Sequence, residues 1–522
     1  MDIWGHIQLG VQAVFFANPA FELFGLGVSI VLVMVAAGFV LGIVVGATPG
    51  LAGPIAMAIS LPILISVFGY SVDALLPVLG FLIGIMKGAT VGGAVPAILF
   101  NTPGTPDAYM TALDGFPMSR RGEAKRALKI AHLSSASGDT FSDVVLVLCA
   151  PFLAILVERY LDLPEKAALL LLSLAFIASV IGGSVGKGLI SMGLGLLAAM
   201  IATGEDFYPR LTMGAPGLSG GIPLAAAILG VLIIGEVFKS LEELRSEGPQ
   251  KVARDTQSRQ KHRLWPELPR LWPHILRSSI VGTAIGALPG VGSTLAATLG
   301  YTMASRSHAK TGRTPAFGQG APEGIAATEA ANSSVSGANL IPVLSLGIPG
   351  NAAAVFLILA MESIGGFTPG PSVFALPASG TNPELVIAFG LFTAMFCANA
   401  LNWTLGGLFM RQVGIMSRVP KAILLPVVLL LTLTAIYVQE GKMLAVWITL
   451  AFGLLGYLMR RTGISPLPFV IAFILAGKLE ATARQAFAAT GSDPWLLFSS
   501  PIAFTFTSLA IFVVFWNLRG RK

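Results

Sequence analysis

Charge is what this sequence lacks most. Asp, Glu, Lys and Arg together make up 11% of its 522 residues, against roughly a quarter in a soluble globular domain, so a soluble architecture is excluded. Histidine is nearly as scarce, with five residues, His6, His132, His262, His274 and His308, and no His, Cys, Asp and Glu grouping has the spacing of a metal centre. The two cysteines, Cys149 and Cys397, both lie in apolar runs. They are expected to be unpaired, buried packing residues, and no disulfide framework can be built from them. Long hydrophilic stretches are also missing, with one exception. Residues 239–271 hold eight Lys or Arg against five Asp or Glu.

What is there is apolar sequence, 54% of the chain. From Leu23 to Val72 no charged residue occurs, and about 20 apolar residues suffice for one bilayer crossing. An all-α polytopic membrane protein is therefore expected. Candidate spans fall near 22–47, 72–99, 128–157, 167–186, 188–204, 211–235, 273–303, 326–347, 385–410, 422–439, 443–459, 462–477 and 494–518, giving about 12 crossings once re-entrant pieces are allowed for. Residues 1–20 are mildly amphipathic and read as an interfacial helix. The start, MDIWGHIQLG, lacks the basic flank of a cleavable signal, so the spans themselves are expected to direct insertion. The formal charge of +7 would suggest acidic partners in a soluble chain. Here the basic residues sit in short loops and read as cytoplasmic anchors, and no nucleic-acid partner is implied.

One phrase in the first apolar run is built to break a helix. Gly42 to Pro54 reads GIVVGATPGLAGP, and Gly282 to Gly292 repeats its order as GTAIGALPGVG, with Pro289 standing where the first copy has Pro49. A second matched pair follows, PAILFNTPG from Pro96 to Gly104 and PVLSLGIPG from Pro342 to Gly350. Pro and Gly unwind a helix, and irregular backbone at membrane depth survives where protein or a water-filled cavity satisfies it. Interrupted segments in corresponding positions of two repeats point to the binding site of a secondary transporter. The alternative for such residues is kinking and close packing of helices.

Loop charges give the direction of the repeats. Arg120, Arg121, Lys125, Arg126 and Lys129 place the loop after the first Pro-Gly pair on the cytoplasmic side, and the linker 239–271, Arg411 with Arg418, Arg460 with Arg461, and Arg519 with Arg521 join it. The turn at Glu440 falls outside by alternation. The first repeat then starts outside and ends inside, and the second does the reverse. The expected organisation is 1–238 as one transmembrane repeat, 239–271 as a cytoplasmic linker and 272–522 as a second, inverted repeat, with the breaks meeting near a pseudo-two-fold axis.

Helices that restart after a break expose first-turn amides, which favour an anion without any Arg. Candidate substrate-binding residues are therefore Thr48, Pro49, Gly50, Asn101, Thr102, Pro103, Gly104, Thr105, Pro289, Gly290, Gly292, Ser293, Thr294, Pro349, Gly350 and Asn351. Thr105 before Pro106, Ser293 with Thr294, and Asn351 are the expected helix caps. Lys87 is an isolated charge in an apolar run that either lines a polar cavity, touching substrate, or snorkels. Glu329, with Asn332, Ser333 and Asn339, either holds a coupling sodium ion or proton or forms a structural hydrogen-bond hub. Glu323 lies nearer the loop and is expected to be solvated. A hydrolase built on Ser219 in GLSGG is the alternative function, and it lacks an evident histidine base. GGSVGKG at 182–188 has Gly188 where a phosphate loop needs Ser or Thr.

Three long phrases, GATPGLAG, AILFNTPGTPDAYMTALDGFPMSRRGEAKRAL and GIAATEAANSSVSGANLIPVLSLGIPGNAAAVFLILAM, resemble the large membrane subunit of the tripartite tricarboxylate transporters. The resemblance implies a multi-pass permease of the bacterial inner membrane, not an enzyme and without a cofactor, that takes up carboxylates with a cation gradient. It also implies two partners, a small membrane subunit and a periplasmic solute-binding protein. Ser333 stands where the family pattern usually has a second Asn, and Lys87 where an aromatic or small residue is more usual. The resemblance therefore does not carry the tricarboxylate label over. A dicarboxylate or an aromatic acid is equally open.

Overall fold

Small residues spaced by four decide where the helices touch. The computed structural model describes residues 2–23, 26–48, 52–102, 105–181, 184–201, 204–205, 208–212, 214, 218–246, 265–310, 314–377, 380–413 and 421–519. Its first half runs Ile3–Phe15 (α1), Ile30–Gly46 (α2), Gly53–Phe68 (α3), Val72–Phe100 (α4), Tyr109–Met118 (α5), Ala124–Tyr160 (α6), Leu163–Ile181 (α7), Val185–Ala199 (α8), Leu224–Leu229 (α9) and Gly235–Ser246 (α10). The second half runs Leu268–Gly286 (α11), Gly292–Ala309 (α12), Pro322–Ala338 (α13), Leu340–Leu346 (α14), Ala352–Ile364 (α15), Pro383–Leu401 (α16), Gly407–Val413 (α17), Lys421–Glu440 (α18), Met443–Arg461 (α19), Leu467–Ala489 (α20) and Pro501–Arg519 (α21). Strand among the described residues is limited to two antiparallel pairs, Pro19–Leu23 with Leu26–Ser29 and Gly204–Glu205 with Tyr208–Pro209. The protein is an all-α polytopic membrane protein. Seven of its described helices are long and apolar enough to cross a membrane, and five shorter ones are also apolar.

The chain divides into two compact units, each drawing on both sides of the hydrophilic linker. One comprises Met1–Phe152, Pro249–Leu288 and Gly292–Lys421, and the other Leu153–Gly248, Pro289–Val291 and Ala422–Lys522. In the first, α2 lies along α4 with backbones in contact. A Cβ on Gly42 would stand 2.5 Å from the Ile85 carbonyl oxygen and one on Gly46 2.2 Å from that of Ala89, while one on Gly88 would stand 2.2 Å from that of Phe39. Glycines on both helices therefore let each backbone seat against the other, as small residues do in membranes. The second repeat uses the same device. A Cβ on Gly282 of α11 would stand 2.2 Å from the Ala331 carbonyl oxygen of α13, and one on Gly286 would stand 2.9 Å from Val335 Cα. Ile85 and Ala331 occupy matching places, eleven residues before Pro96 and Pro342 respectively.

The repeated phrases also end their helices alike. Asn101 caps α4 in the left-handed conformation, φ +55°, and Thr102 N–H donates to Pro96 O at 3.3 Å. Gly347 caps α14 at φ +70°, and Ile348 N–H donates to Pro342 O at 3.1 Å. Each is a Schellman-type end, which needs a residue that tolerates positive φ. Gly in one copy and Asn in the other are such residues.

The repeats run in opposite directions. Lys87 of α4 is level with Asp139, which Ser336 of α13 also reaches. Further along α4, a Cβ on Gly115 of α5 would meet Ile98, and its neighbour Asp114 accepts hydrogen bonds from Gly320 and Ala321 just before α13. Rising numbers on α4 thus accompany falling numbers on α13. Each repeat's short second-break helix packs on the other repeat's long one, α5 on α13 and α15 on α4.

In the second unit Arg460 repairs an irregular turn. Gly230–Ile234, between α9 and α10, is π-helical. The guanidinium donates to Val231 O at 2.7 Å, Leu232 O at 2.8 Å and Glu236 Oε2 at 2.7 Å. Ser191 similarly ties α8 to α20, donating to Ser465 O at 2.6 Å and accepting from Phe469 N–H at 3.0 Å.

Several sequence expectations are corrected. The apolar run near 22–47 does not begin as helix, because Leu26–Ser29 pairs with Pro19–Leu23 and Ser29 caps α2. The run 273–303 is two helices, since Gly290 and Gly292 adopt φ +82° and +76°. Within the run 211–235 the α-helix α9 begins at Leu224, and α20 continues past 477 to Ala489. Cys149 and Cys397 are free, yet Cys149 is exposed and Cys397 intermediate. Cys149 shares the outward face of α6 with Val144, Leu148 and Phe152. An apolar neighbourhood does not mark the interior when the surroundings are themselves apolar.

Candidate functional site

Every residue of α13 is buried, although its sequence carries two Glu, a Thr, an Asn and three Ser. Ala and Gly alternate with these polar residues, so neighbouring helices approach closely and the polar groups must find partners among them. They do so at successive levels along the helix.

At the N-terminal end, Asp114 of α5 holds the entry to α13. Its Oδ1 accepts from the amides of Gly318 at 2.9 Å and of Gly320 and Ala321 at 2.8 Å. Arg121 donates to the carbonyls of Gln319 and Gly320 from the same side. Glu323 is fully buried and bonded by Arg270, with Nη2 at 3.0 Å from Oε2. It is not solvated as its loop-proximal position suggests, because α11 brings Arg270 over it. Replacing Asp114 with Ala is expected to leave the buried amides of Gly320 and Ala321 without acceptors and to cost about 2 kcal/mol. Asp114→Asn, which keeps an oxygen, should cost less. Thermal unfolding of the two variants in detergent checks this, and equal midpoints would remove the capping role.

Nearly two turns further, Glu329 is fully buried and accepts a hydrogen bond from Thr111 of α5, whose hydroxyl also reaches Thr328. Its Oε2 has no hydrogen-bond partner among the described residues. At the restart of α12, Thr294 donates to Asp107 Oδ1 at 2.6 Å. This joins the first break of the second repeat to the second break of the first.

The next level holds a fully buried ionic cluster. Lys87 is fully buried, with Nζ 3.1 Å from Asp139 Oδ1 and 2.8 Å from each oxygen of Asp143, both carboxylates lying on α6. Asn399 of α16 donates to Asp143 Oδ2 at 2.7 Å, and Ser336 donates to Asp139. Ser333 bonds Ser135 of α6, and Ser334 donates to Gly138 O at 3.0 Å. Lys87 and Ser333 are repeat counterparts, each nine residues before its phrase's proline. Both face α6. Lys87 does not snorkel, and its ammonium is engaged by two protein carboxylates. Asp139 and Asp143 were missed by the sequence reading, although two Asp one helical turn apart within an otherwise uncharged span are a visible signal.

At the far end, Asn339 is 1% exposed and neither its Oδ1 nor its Nδ2 has a hydrogen-bond partner among the described residues. A Cβ on Gly350 would stand 2.6 Å from that Oδ1. Asn339 is thus aimed at the second break of its own repeat.

The remaining candidates divide. Asn351 caps α15 as expected, accepting from Ala354 N–H at 2.9 Å. Thr105 precedes a 3-10 turn, Pro106–Ala108, and α5 starts without a side-chain cap. Pro at the first turn and the tight Ala108 N–H to Thr105 O bond take the place of that cap. Ser293 and Thr294 lie inside the first turn of α12, which begins at Gly292, so they are not caps. Thr48 is buried and its hydroxyl returns to Val44 O at 2.8 Å. Pro289, Gly290, Pro349, Asn101 and Thr102 all lie in the breaks. Asn332 is 4% exposed on α13. Pro49, Gly50, Pro103 and Gly104 lie outside the described residues.

Comparison with known proteins agrees with this architecture. The profile described as Tripartite tricarboxylate transporter TctA family matches residues 32–471. The chain belongs to that family. The match takes in both pairs of breaks and the whole Lys87, Asp139, Asp143 and Asn399 cluster. Among curated relatives, an uncharacterized 52.8 kDa protein in the TAR-I ttuC′ 3′ region of Agrobacterium vitis is 31% identical over 476 residues, covering 89% of each chain. An uncharacterized protein in the TAR-II ttuC′ 3′ region of the same organism is 30% identical over 238 residues, covering 45% of this chain and 92% of its own. No solved structure matches. The TctA family is a family of transporters, and the hydrolase reading gains nothing, for Ser219 lies on an exposed turn.

Proposed function

We propose that this protein is the large permease subunit of a binding-protein-dependent secondary transporter that imports carboxylates, not an enzyme. In this reading it lies in the bacterial inner membrane with its linker in the cytoplasm. A small membrane subunit and a periplasmic solute-binding protein complete the system. The observation that carries the proposal is the wholly buried, polar α13, flanked by the broken helices of two oppositely directed repeats. A transporter needs such a seam at depth, where polar groups exchange partners as the repeats shift. Substrate carboxylates would be received at the helix restarts around Gly292, Ser293, Thr294 and Asn351, and the glycines of the breaks would admit them to the backbone. Lys87 would act on the substrate through the cluster it anchors.

Sodium ions or protons would supply the energy, with Glu329, Asn332, Ser333 and Asn339 as the proposed coupling group. The free oxygens of Glu329 and Asn339 favour this over a purely structural hub. The test is uptake of a panel of labelled carboxylates into membrane vesicles, with the binding protein supplied and sodium and proton gradients imposed separately. Glu329→Gln is expected to alter the ion dependence of uptake at matched expression. Unchanged ion dependence would take Glu329 out of coupling, and activity without either gradient would overturn the secondary-transport reading.

A further inference from the structure

The cluster around Lys87 does not balance. It contains one ammonium and two carboxylates, all at most 1% exposed. The groups that face them from the other helices, Ser336 of α13 and Asn399 of α16, are neutral. A buried unpaired charge costs several kcal/mol, so the excess negative charge calls for a further positive one.

The hydrogen bonds show where it would sit. Both oxygens of Asp143 are taken by Lys87, and one of them also by Asn399. Asp139 Oδ1 is taken by Lys87 and Ser336. Asp139 Oδ2 is buried and without a hydrogen-bond partner among the described residues. An alkali-metal ion would need several converging oxygens, whereas this cluster leaves one carboxylate oxygen free, and the other free oxygen, Oδ1 of Asn399, belongs to an amide that meets the cluster through its Nδ2. We propose that Asp139 is a proton-binding site, carrying one proton on Oδ2 that balances the Lys87, Asp139 and Asp143 cluster.

The site is separate from Glu329, which bonds Thr111 at another level of α13. It joins α4 of one repeat to α13 of the other through α6. Loss of the proton would leave an uncompensated charge at that junction, so proton occupancy and the packing of the repeats are linked. As a contribution to uptake the site rests on the carrier reading. Its test does not use transport, so the two can fail independently.

The charge count sets the test. Asp139→Asn and Asp143→Asn each leave one ammonium and one carboxylate, so each should bind one proton fewer than the parent. The full-length protein in detergent is unfolded thermally across pH 5 to 8, with and without sodium. Because the proton is held in the folded state and released on unfolding, stability present in acid is lost as pH rises above the unfolded Asp range near about 4. The parent is expected to lose about tenfold more in its folding equilibrium per pH unit than either variant. Infrared difference spectra supply a second measurement, in which the parent shows one more protonated carboxyl band, sensitive to deuteration, than either variant. Should one variant fail to fold, the other carries the same expectation. Identical pH slopes and identical carboxyl bands in parent and variants would overturn the proposal, as would a slope that sodium abolishes.

Discussion

Replacing Lys87 with Met is expected to remove about 3–5 kcal/mol of stability at neutral pH, because it leaves the buried Asp139 and Asp143 pair, with one proton between them, carrying a charge that nothing counters. Met has similar length and no charge, so the loss reports the ammonium and not a cavity. Nζ holds both carboxylates within 3.1 Å, and the side chain is fully buried, so no solvent screens the pair. The loss should be smaller in acid, where protons take the place of the missing ammonium. Adding Asp143→Asn to Lys87→Met should recover part of it, because Asp139 can then stay protonated and neutral, which makes the double-mutant cycle a direct measure of coupling. Thermal unfolding of the four proteins in detergent decides the matter. A Lys87→Met protein with parental stability at neutral pH would show that the carboxylates are hydrated.

The helix crossings should be equally intolerant. Gly46→Val and Gly282→Val each force a branched side chain to within 2.2 Å of a carbonyl oxygen on the facing helix, Ala89 in one case and Ala331 in the other. Backbone cannot yield as a side-chain tip can, so α2 must part from α4, or α11 from α13. The expected cost is about 3 kcal/mol or more at each site, read as loss of monodisperse protein after extraction. Gly193 in α8 is the control, for nothing lies within 4 Å of a Cβ placed there. Gly193→Ala should be neutral or slightly stabilising, since Ala outranks Gly in a helix by roughly 1 kcal/mol. Matching behaviour of the three variants would mean that helix propensity, not contact between backbones, governs these glycines.

The equivalence of the two glycine crossings bears on how the protein works. Each repeat is stiffened internally by a pair of helices in backbone contact, while between repeats an apolar cluster that includes Val95, Ile98, Ile325 and Ala330 is joined by hydrogen bonds: Thr111 with Glu329, Thr294 with Asp107, Ser336 with Asp139. Dispersion contacts at full packing density are lost steeply on small displacements. Hydrogen bonds among hydroxyls and carboxylates can exchange partners.

Much of this was written in local sequence. Low charge and long apolar runs determined that the chain is a helical membrane protein, because a bilayer sets both length and composition of what spans it. The repeated Pro-Gly phrases determined where helices break and that the breaks come in matched pairs, since Pro, Gly and Asn act on their own backbone. They even specified the shared helix ends at Asn101 and Gly347. Tertiary structure alone decided which charges meet. Nothing near Lys87 in the sequence names Asp139 and Asp143, more than fifty residues on, nor sets Arg270 over Glu323. Pairing of buried charges depends on helix crossings that bring distant segments to one level, and hydropathy patterns carry no information about level. For the same reason the sequence placed Cys149 inside and Glu323 outside, and the structure reversed both.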